Sequence, residues 1–224
     1  MINFVAIDFE TADPTHPCSL GIAVVEDSKI TLVKHWLIKP ACYPYFHFYA
    51  QKIHGIKKED VEFQPEFDGL WPEIKPYIEN QILIAHNAHF DVGILRKTLI
   101  HYKIPIPRFT SFCSYTTARI AWKDNQKASL DFLCEQEGIE FEHHNADSDA
   151  YACAMLFLRE LEILGIDDLQ DLQTITRRVA REARLAKQER VAQKERLKQE
   201  KIDSIPQKEI NTKTISRKSI DKEN

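Results

Sequence analysis

Asp8 and Glu10 stand two residues apart at the end of the apolar run Phe4–Phe9. In a strand, that spacing points both carboxylates to the same side. Adjacent carboxylates at the carboxyl end of a strand repel one another unless a proton or a cation intervenes. A hard divalent cation with oxygen ligands, such as Mg²⁺, removes that cost. D-x-E is also a common tripeptide on solvated strand ends, so the pair alone leaves both readings open. A second polar set, His86-Asn87-Ala88-His89-Phe90-Asp91, follows directly on the apolar run Ile82–Ala85. A strand turning into a helix here leaves Asn87 and Asp91 at the strand's carboxyl edge, where open α/β sheets place ligands. Taken singly, either residue is better explained as a helix cap. The third set is His143-His144-Asn145-Ala146-Asp147-Ser148-Asp149-Ala150. His144 and Asp149 are about 500° apart around a helix and cannot share a face of it. With His144 on a loop and Asp149 in the helical turn that follows, both can reach one site. Asn145 or Asp147 is a credible N-cap. Adjacent histidines are expected to diverge, which disfavours His143 and His144 as paired metal ligands.

The elements that must position these groups follow from hydrophobic period. Phe4–Phe9 and Ile82–Ala85 are short apolar runs, as expected of strands buried on both faces. Leu20–Val25 and Ile30–Ile38 are β-branched and separated by Glu26-Asp27-Ser28-Lys29, which predicts a hairpin. Phe67, Leu70, Trp71, Ile74, Tyr77 and Ile78 recur at helical spacing, with Pro72 expected in the first turn and Pro76 expected to kink or shorten the helix. A helix carrying Phe90, Ile94, Leu95 and Leu99 follows the second set of polar groups. Another runs from Ser129, an expected N-cap, to Gly138, and a last one follows Asp147 and ends at Gly165. Strands first, then alternating helix and strand, predict a mixed sheet covered by helices on both faces.

In order and spacing, the three sets together resemble the DEDD exonucleases of the histidine subtype, a ribonuclease H-like family that includes the proofreading epsilon subunit of bacterial DNA polymerase III. Asp8-Phe9-Glu10-Thr11 matches the family's first motif, Asn87-Ala88-His89-Phe90-Asp91 the second, and His144 through Ala150 the third. The resemblance covers roughly residues 2–165. Ala12 stands where many relatives have a second Thr or Ser. The resemblance implies an α/β, ribonuclease H-like fold with a mixed five-stranded sheet. It also implies two divalent metal ions, Mg²⁺ with Mn²⁺ as a substitute. Asp8, Glu10 and Asp149 would bind one ion, with Asp8 bridging to a second that Asp91 supports. His144 would take a proton from the attacking water, and nucleoside 5′-monophosphates would leave from a 3′ end. Phe9, Thr11, Asn87, Phe90 and the segment Ile53-His54-Gly55-Ile56 would border the terminal nucleotides, although Ile53 and Ile56 read equally well as core. Lys52, Lys57 and Lys58 flank that segment. They could meet phosphates or form a solvated cluster.

The whole chain has 30 basic and 34 acidic residues, a net charge of −4, which taken alone argues against a nucleic-acid partner. The charge is unevenly spread: residues 177–224 hold 15 basic and 8 acidic residues, whereas residues 1–176 carry an excess of 11 negative charges. An exonuclease domain is therefore expected over 1–166, a charged helical extension over 167–201 and a disordered tail over 202–224. Leu169, Leu172, Ile175 and Val179 continue a helical stripe expected to pack on the body. The basic remainder reads first as a solvated helix, and second as a means of retaining nucleic acid or a polymerase or repair partner. No apolar run is long enough to span a membrane. The N-terminus lacks a secretion signal, and five cysteines without C-x-x-C spacing fit a reduced, cytoplasmic protein. DNA 3′ ends are the expected substrate, with RNA trimming as the alternative and a non-catalytic scaffold as the third reading.

Overall fold

In the computed structural model, which describes residues 1–203, every apolar side chain from Phe4 to Phe9 is buried. These residues lie in β1 (Phe4–Thr11), which has a neighbour on either edge. It pairs antiparallel with β2 (Pro17–Glu26) and parallel with β4 (Ile82–Ala85). The outer strands are β3 (Lys29–Leu37) and β5 (Thr110–Cys113), giving the order β3-β2-β1-β4-β5. The expected mixed five-stranded sheet is thus present. The β2–β3 hairpin is tighter than the four residues that suggested it. Glu26 pairs with Lys29, and only Asp27 (φ 50°) and Ser28 (φ 63°) make the turn. Two left-handed residues give the turn whose twist matches the strands it joins.

Alternation along β1 sorts the core into two layers. Val5, Ile7 and Phe9 pack with Phe67, Trp71 and Ile74 of α3 (Phe67–Ile74) and with Ile94, Leu95 and Leu99 of α4 (Ala88–His101). Phe4 turns the other way and meets Phe157 of α7 (Ala146–Leu164) edge to face, with ring centroids 5.1 Å apart. Because α7 lies across β1 and β2, both faces of the sheet carry helices. Two short helices, α1 (Phe48–His54) and α2 (Lys58–Val61), connect β3 to α3, while α5 (Ser114–Ala121) and α6 (Leu130–Glu137) lie between β5 and α7.

Two helical expectations need correction. Pro72 is not in the first turn of α3. The helix starts at the fully buried Phe67, which makes Pro72 an interior residue that cannot donate to the carbonyl four residues back. Pro76 does shorten the helix, and Lys75–Tyr77 continue only as a 3₁₀ turn. The helix α7 begins at Ala146 rather than after Asp147, with Asn145 in the N-cap position but making no side-chain capping bond.

A single glycine sets how close α7 comes to β1. Gly21 pairs directly with Asp8. A Cβ at Gly21 would lie 2.0 Å from the Ala146 carbonyl oxygen and 2.3 Å from the Asp147 amide nitrogen. The first turn of α7 therefore rests on bare β2 backbone, as a glycine inside a strand permits. Beside it, Ser19 Oγ lies 2.7 Å from His35 Nε2, and Nδ1 of the same ring lies 3.9 Å from Asp147 Oδ1.

The chain divides into two compact units, Met1–Leu172 and Gln173–Asn224. The last helix, α8 (Leu169–Asp203), contributes the buried Leu169 and Leu172 to the first unit. In the second unit, Leu185, Val191 and Leu197 are half exposed. Beyond Asp203, the segment expected to be disordered lies outside the described residues.

Replacing Gly21 with Ala forces backbone apart from backbone. A loss of about 1–3 kcal/mol is expected, the usual range for overpacking, measured as a lower urea midpoint. An unchanged midpoint would show that α7 does not rest on this residue.

Candidate active site

The three polar sets converge on one cavity of about 470 Å³ at the carboxyl end of β1. Strand β1 contributes Asp8 and Glu10, and the first turns of α4 and α7 contribute Asp91 and Asp149. His143 and His144 come from the loop before α7, and Asn87 and Phe90 complete the rim. Asp91 is 2% exposed and accepts a hydrogen bond from the Phe9 amide at 3.0 Å. Asp149 is also buried, and its Oδ1 lies 2.9 Å from His143 Nδ1. Asp91 and Asp149 each sit where a helix N-terminus favours negative charge.

Burial and mutual repulsion favour the protonated forms of these carboxyls. Burial first, then the charges of Asp91, Asp149 and Glu10, push Asp8 well above the usual carboxylate range. Burial, with Asp149 and Asp91, pushes Glu10 up to about 8. Burial raises Asp91 to about 7 against the opposing bond from the Phe9 amide. Asp149 is raised by burial, although its bond from His143 pulls the other way. Ligand oxygens of Asp8, Glu10 and Asp149 lie within 4.8 Å of one another. An all-oxygen set of this kind suits a hard divalent cation, whose charge would replace the missing protons.

The histidines do not diverge as expected. His144 has a left-handed backbone (φ 66°) that folds it back, and its ring stacks on His143 with centroids 4.0 Å apart. Of the two, His143 bonds Asp149, while burial and the neighbouring His143 lower the pKa of His144. Asn87 makes no capping bond; it adopts a left-handed conformation (φ 82°) and borders the cavity. The Phe9 ring lies in the core on the far side of β1, so this residue presents its backbone to the site.

Ile53, His54 and Gly55 lie in an adjoining depression that shares His143 and His144 with the carboxylate cavity. Both ring nitrogens of His54 are engaged. Nε2 reaches the Thr11 carbonyl at 3.1 Å, and Nδ1 accepts the Ile56 amide at 3.0 Å. The ring thus staples the Ile53–Ile56 segment to the end of β1 and has no donor left over. The exposed Ile53 side chain and Gly55 (φ 75°) are held beside it. Sequence reasoning missed Tyr115, Ser129 and Asp131 on the cavity rim. It also missed Gly21, whose only signal was a lone glycine inside a strand pattern.

The sequence matches the family described as Exonuclease (RNase_T) over residues 5–157. The chain belongs to this exonuclease family. The recognition drawn from the three motifs, an exonuclease similar to the epsilon subunit of DNA polymerase III, is borne out. The chain is 30% identical over 181 residues to the PolC-type DNA polymerase III of Thermotoga petrophila, covering 77% of this chain and 13% of that protein. It is 35% identical over 115 residues to the DNA polymerase III subunit epsilon of Buchnera aphidicola subsp. Schizaphis graminum, covering 49% of each. The chain therefore spans half or less of these relatives. Among solved structures, Exonuclease X in complex with 5′ overhanging duplex DNA superposes with a TM-score of 0.60 at 24% identity, over 72% of this chain and 92% of that one. The nuclease domain of 3′hExo, a DEDDh family member bound to rAMP, gives 0.61 at 13% identity, over 71% and 92%. Both support the fold. Among the described residues, no helix is long and apolar enough to cross a membrane.

The raised carboxyl groups give the metal-free protein a signed pH dependence. Below about pH 4 the carboxyls are protonated in folded and unfolded chains alike. Above that, the unfolded chain loses its protons first and the folded chain later, Asp91 near pH 7 and Glu10 near pH 8, so raising the pH over this interval removes stability. In EDTA, the unfolding temperature should fall between pH 5 and pH 8. Added Mg²⁺ or Mn²⁺ should recover much of the loss, and Asp8→Asn should flatten the profile. A wild-type profile already flat over this interval would contradict the assignment.

Proposed function

We propose that the protein is a metal-dependent 3′→5′ exonuclease that hydrolyses phosphodiester bonds at single-stranded or frayed DNA ends, releasing nucleoside 5′-monophosphates in proofreading or repair-like trimming. The observation that carries this reading is the convergence of Asp8, Glu10, Asp91 and Asp149 with His144 in one cavity. Asp8, Glu10 and Asp149 would hold one divalent ion, and Asp8 and Asp91 a second, with Mg²⁺ the proposed metal and Mn²⁺ a substitute. Bound there, the ions would neutralise the carboxylates and supply Lewis-acid assistance to attacking and leaving oxygens.

The chain's own groups do the rest. The lowered pKa of His144 leaves its imidazole neutral near pH 7, so a ring nitrogen is free to accept a proton from the attacking water. His143 Nδ1 holds Asp149 Oδ1, and the Phe9 amide holds Asp91 Oδ1, so two of the four carboxyls have a fixed orientation. Thr11, Asn87, Phe90 and the Ile53–Gly55 corner would border the terminal nucleotide, with Phe90 and Ile53 offering exposed apolar surface to a base.

DNA is favoured because relatives at 30% and 35% identity are named as DNA polymerase III proteins. By the same reasoning, the charged extension over 167–201 would meet a polymerase or repair partner, next to an exonuclease domain over 1–166, in the cytoplasm.

Digestion of 5′-labelled single-stranded DNA and RNA with Mg²⁺ or Mn²⁺ tests the reading. Labelled products should shorten one nucleotide at a time, faster on DNA, and Asp8→Ala should abolish this. His144→Ala should slow turnover about 10²–10⁴-fold, the span for a general base, and His143→Ala should cost less. Equal degradation by wild type and Asp8→Ala would refute the site. A crippled His143→Ala beside a near-normal His144→Ala would make His143 the base. Faster RNA digestion would establish an exoribonuclease instead.

A further inference from the structure

Helix α1 buries none of its side chains. Phe48 is 70% exposed and Tyr49 67% exposed, with Tyr45 just before them also open to solvent. The Phe48 and Tyr49 rings stand edge to face with centroids 5.6 Å apart, and His47 lies 5.7 Å from Tyr49. Single exposed aromatics are ordinary, but adjacent ones held against each other mark an interaction surface. Basic residues are interleaved with these rings. Lys52 and Lys57 are exposed, as is Lys58, which lies 3.8 Å from Glu59. One helical turn separates Phe48 from Lys52 and Tyr49 from Ile53, so rings and following residues stack in two neighbouring rows.

Shared lining residues also link the surface to the carboxylate cavity. A depression of about 750 Å³ runs past Phe48, Lys52, Gly55 and Lys57. It shares Lys52 and Gly55 with the depression that holds Ile53 and His54, which in turn shares His143 and His144 with the cavity of Asp8 and Asp149. Three depressions that share lining residues thus lie in succession from the carboxylates to Phe48. A mononucleotide would fill only the first of them, whereas a polymer would use all three. Exposed rings interleaved with lysines match the two surfaces of a single strand: bases stack on aromatic faces without sequence reading, and phosphates meet cations. A purely apolar protein partner would have no use for the lysines.

We propose that the single strand leading to the reacting 3′ terminus lies along this succession, its upstream bases stacking on Phe48, which lines it, and on the exposed Tyr49 ring beside Phe48, and its phosphates meeting Lys52 and Lys57. The inference rests on the exonuclease reading for the identity of the strand, and it adds where the strand goes beyond the terminal nucleotide.

The full chain tests this by kcat/KM on a thymidine dinucleotide and a thymidine dodecanucleotide, with Mg²⁺, for wild type, Phe48→Ala/Tyr49→Ala and Lys52→Ala/Lys57→Ala. Wild type should favour the longer substrate. The aromatic double variant should lose on the order of 10-fold or more on it, the scale of losing a stacked base. Its rate on the dinucleotide should stay within about 2-fold, a retained rate that also shows the variant is folded. The lysine double variant should lower the salt slope of dodecanucleotide use by about 0.7 for each phosphate that a lysine neutralises in wild type. Unchanged use of the dodecanucleotide by the aromatic variant would overturn the proposal, as would equal losses on both lengths. If wild type cleaves neither substrate, the exonuclease reading falls. Fluorescence anisotropy with the dodecanucleotide then decides the track alone: weaker binding by both double variants supports it, and undiminished binding overturns it.

Discussion

Four carboxyl groups in one cavity repel one another, and most of the sheet edge is arranged to hold them together regardless. The bare backbone of Gly21, opposite Asp8, lets the first turn of α7 approach β1 and bring Asp149 with it. The Phe9 amide reaches across to Asp91, so the strand that carries two of the carboxyls also fixes a third. Two helix N-termini face the cavity and offset part of the negative charge. What remains is expressed as raised pKa values, a standing preference for protons that a divalent cation can replace. Stability is thus given up locally for a site that, on the proposed reading, a cation would complete.

Much of this was legible in the sequence because chemistry and period coincide there. Asp8 and Glu10 sit on one face of a strand, Asp91 and Asp149 open helices, and the intervening apolar runs have the lengths of buried strands. The unread parts lacked such a pattern. Helix α1 buries nothing, so no apolar stripe reveals it. Strand β5 has only four residues, none of them buried. Gly21 takes its meaning from Ala146, more than a hundred residues away, and no local pattern names that partner. The stacking of His143 on His144 depends on a left-handed backbone at a non-glycine residue, which composition does not announce. The His-Gly corner has a clear signature, yet only the hydrogen bonds show that the His54 ring serves the fold while Ile53 faces outward.

Net charge was the least informative of the sequence features. The chain's −4 averages an acidic body over a basic C-terminal region. In the body, several of the negative charges are the proposed metal ligands, so bound cations would reverse the local sign at the place where a phosphate must enter. The lysines beside α1 extend that favourable region away from the cavity.

The account depends most on the carboxylates being a divalent-metal site, and counting bound ions tests that directly. Mn²⁺ titrated into the metal-free protein with thymidine 5′-monophosphate present, and followed by electron paramagnetic resonance, should show about two bound ions per chain in wild type and at most one in Asp8→Asn. Wild type that binds no Mn²⁺ at millimolar concentration, or an Asp8→Asn variant that binds as many ions as wild type, would contradict it.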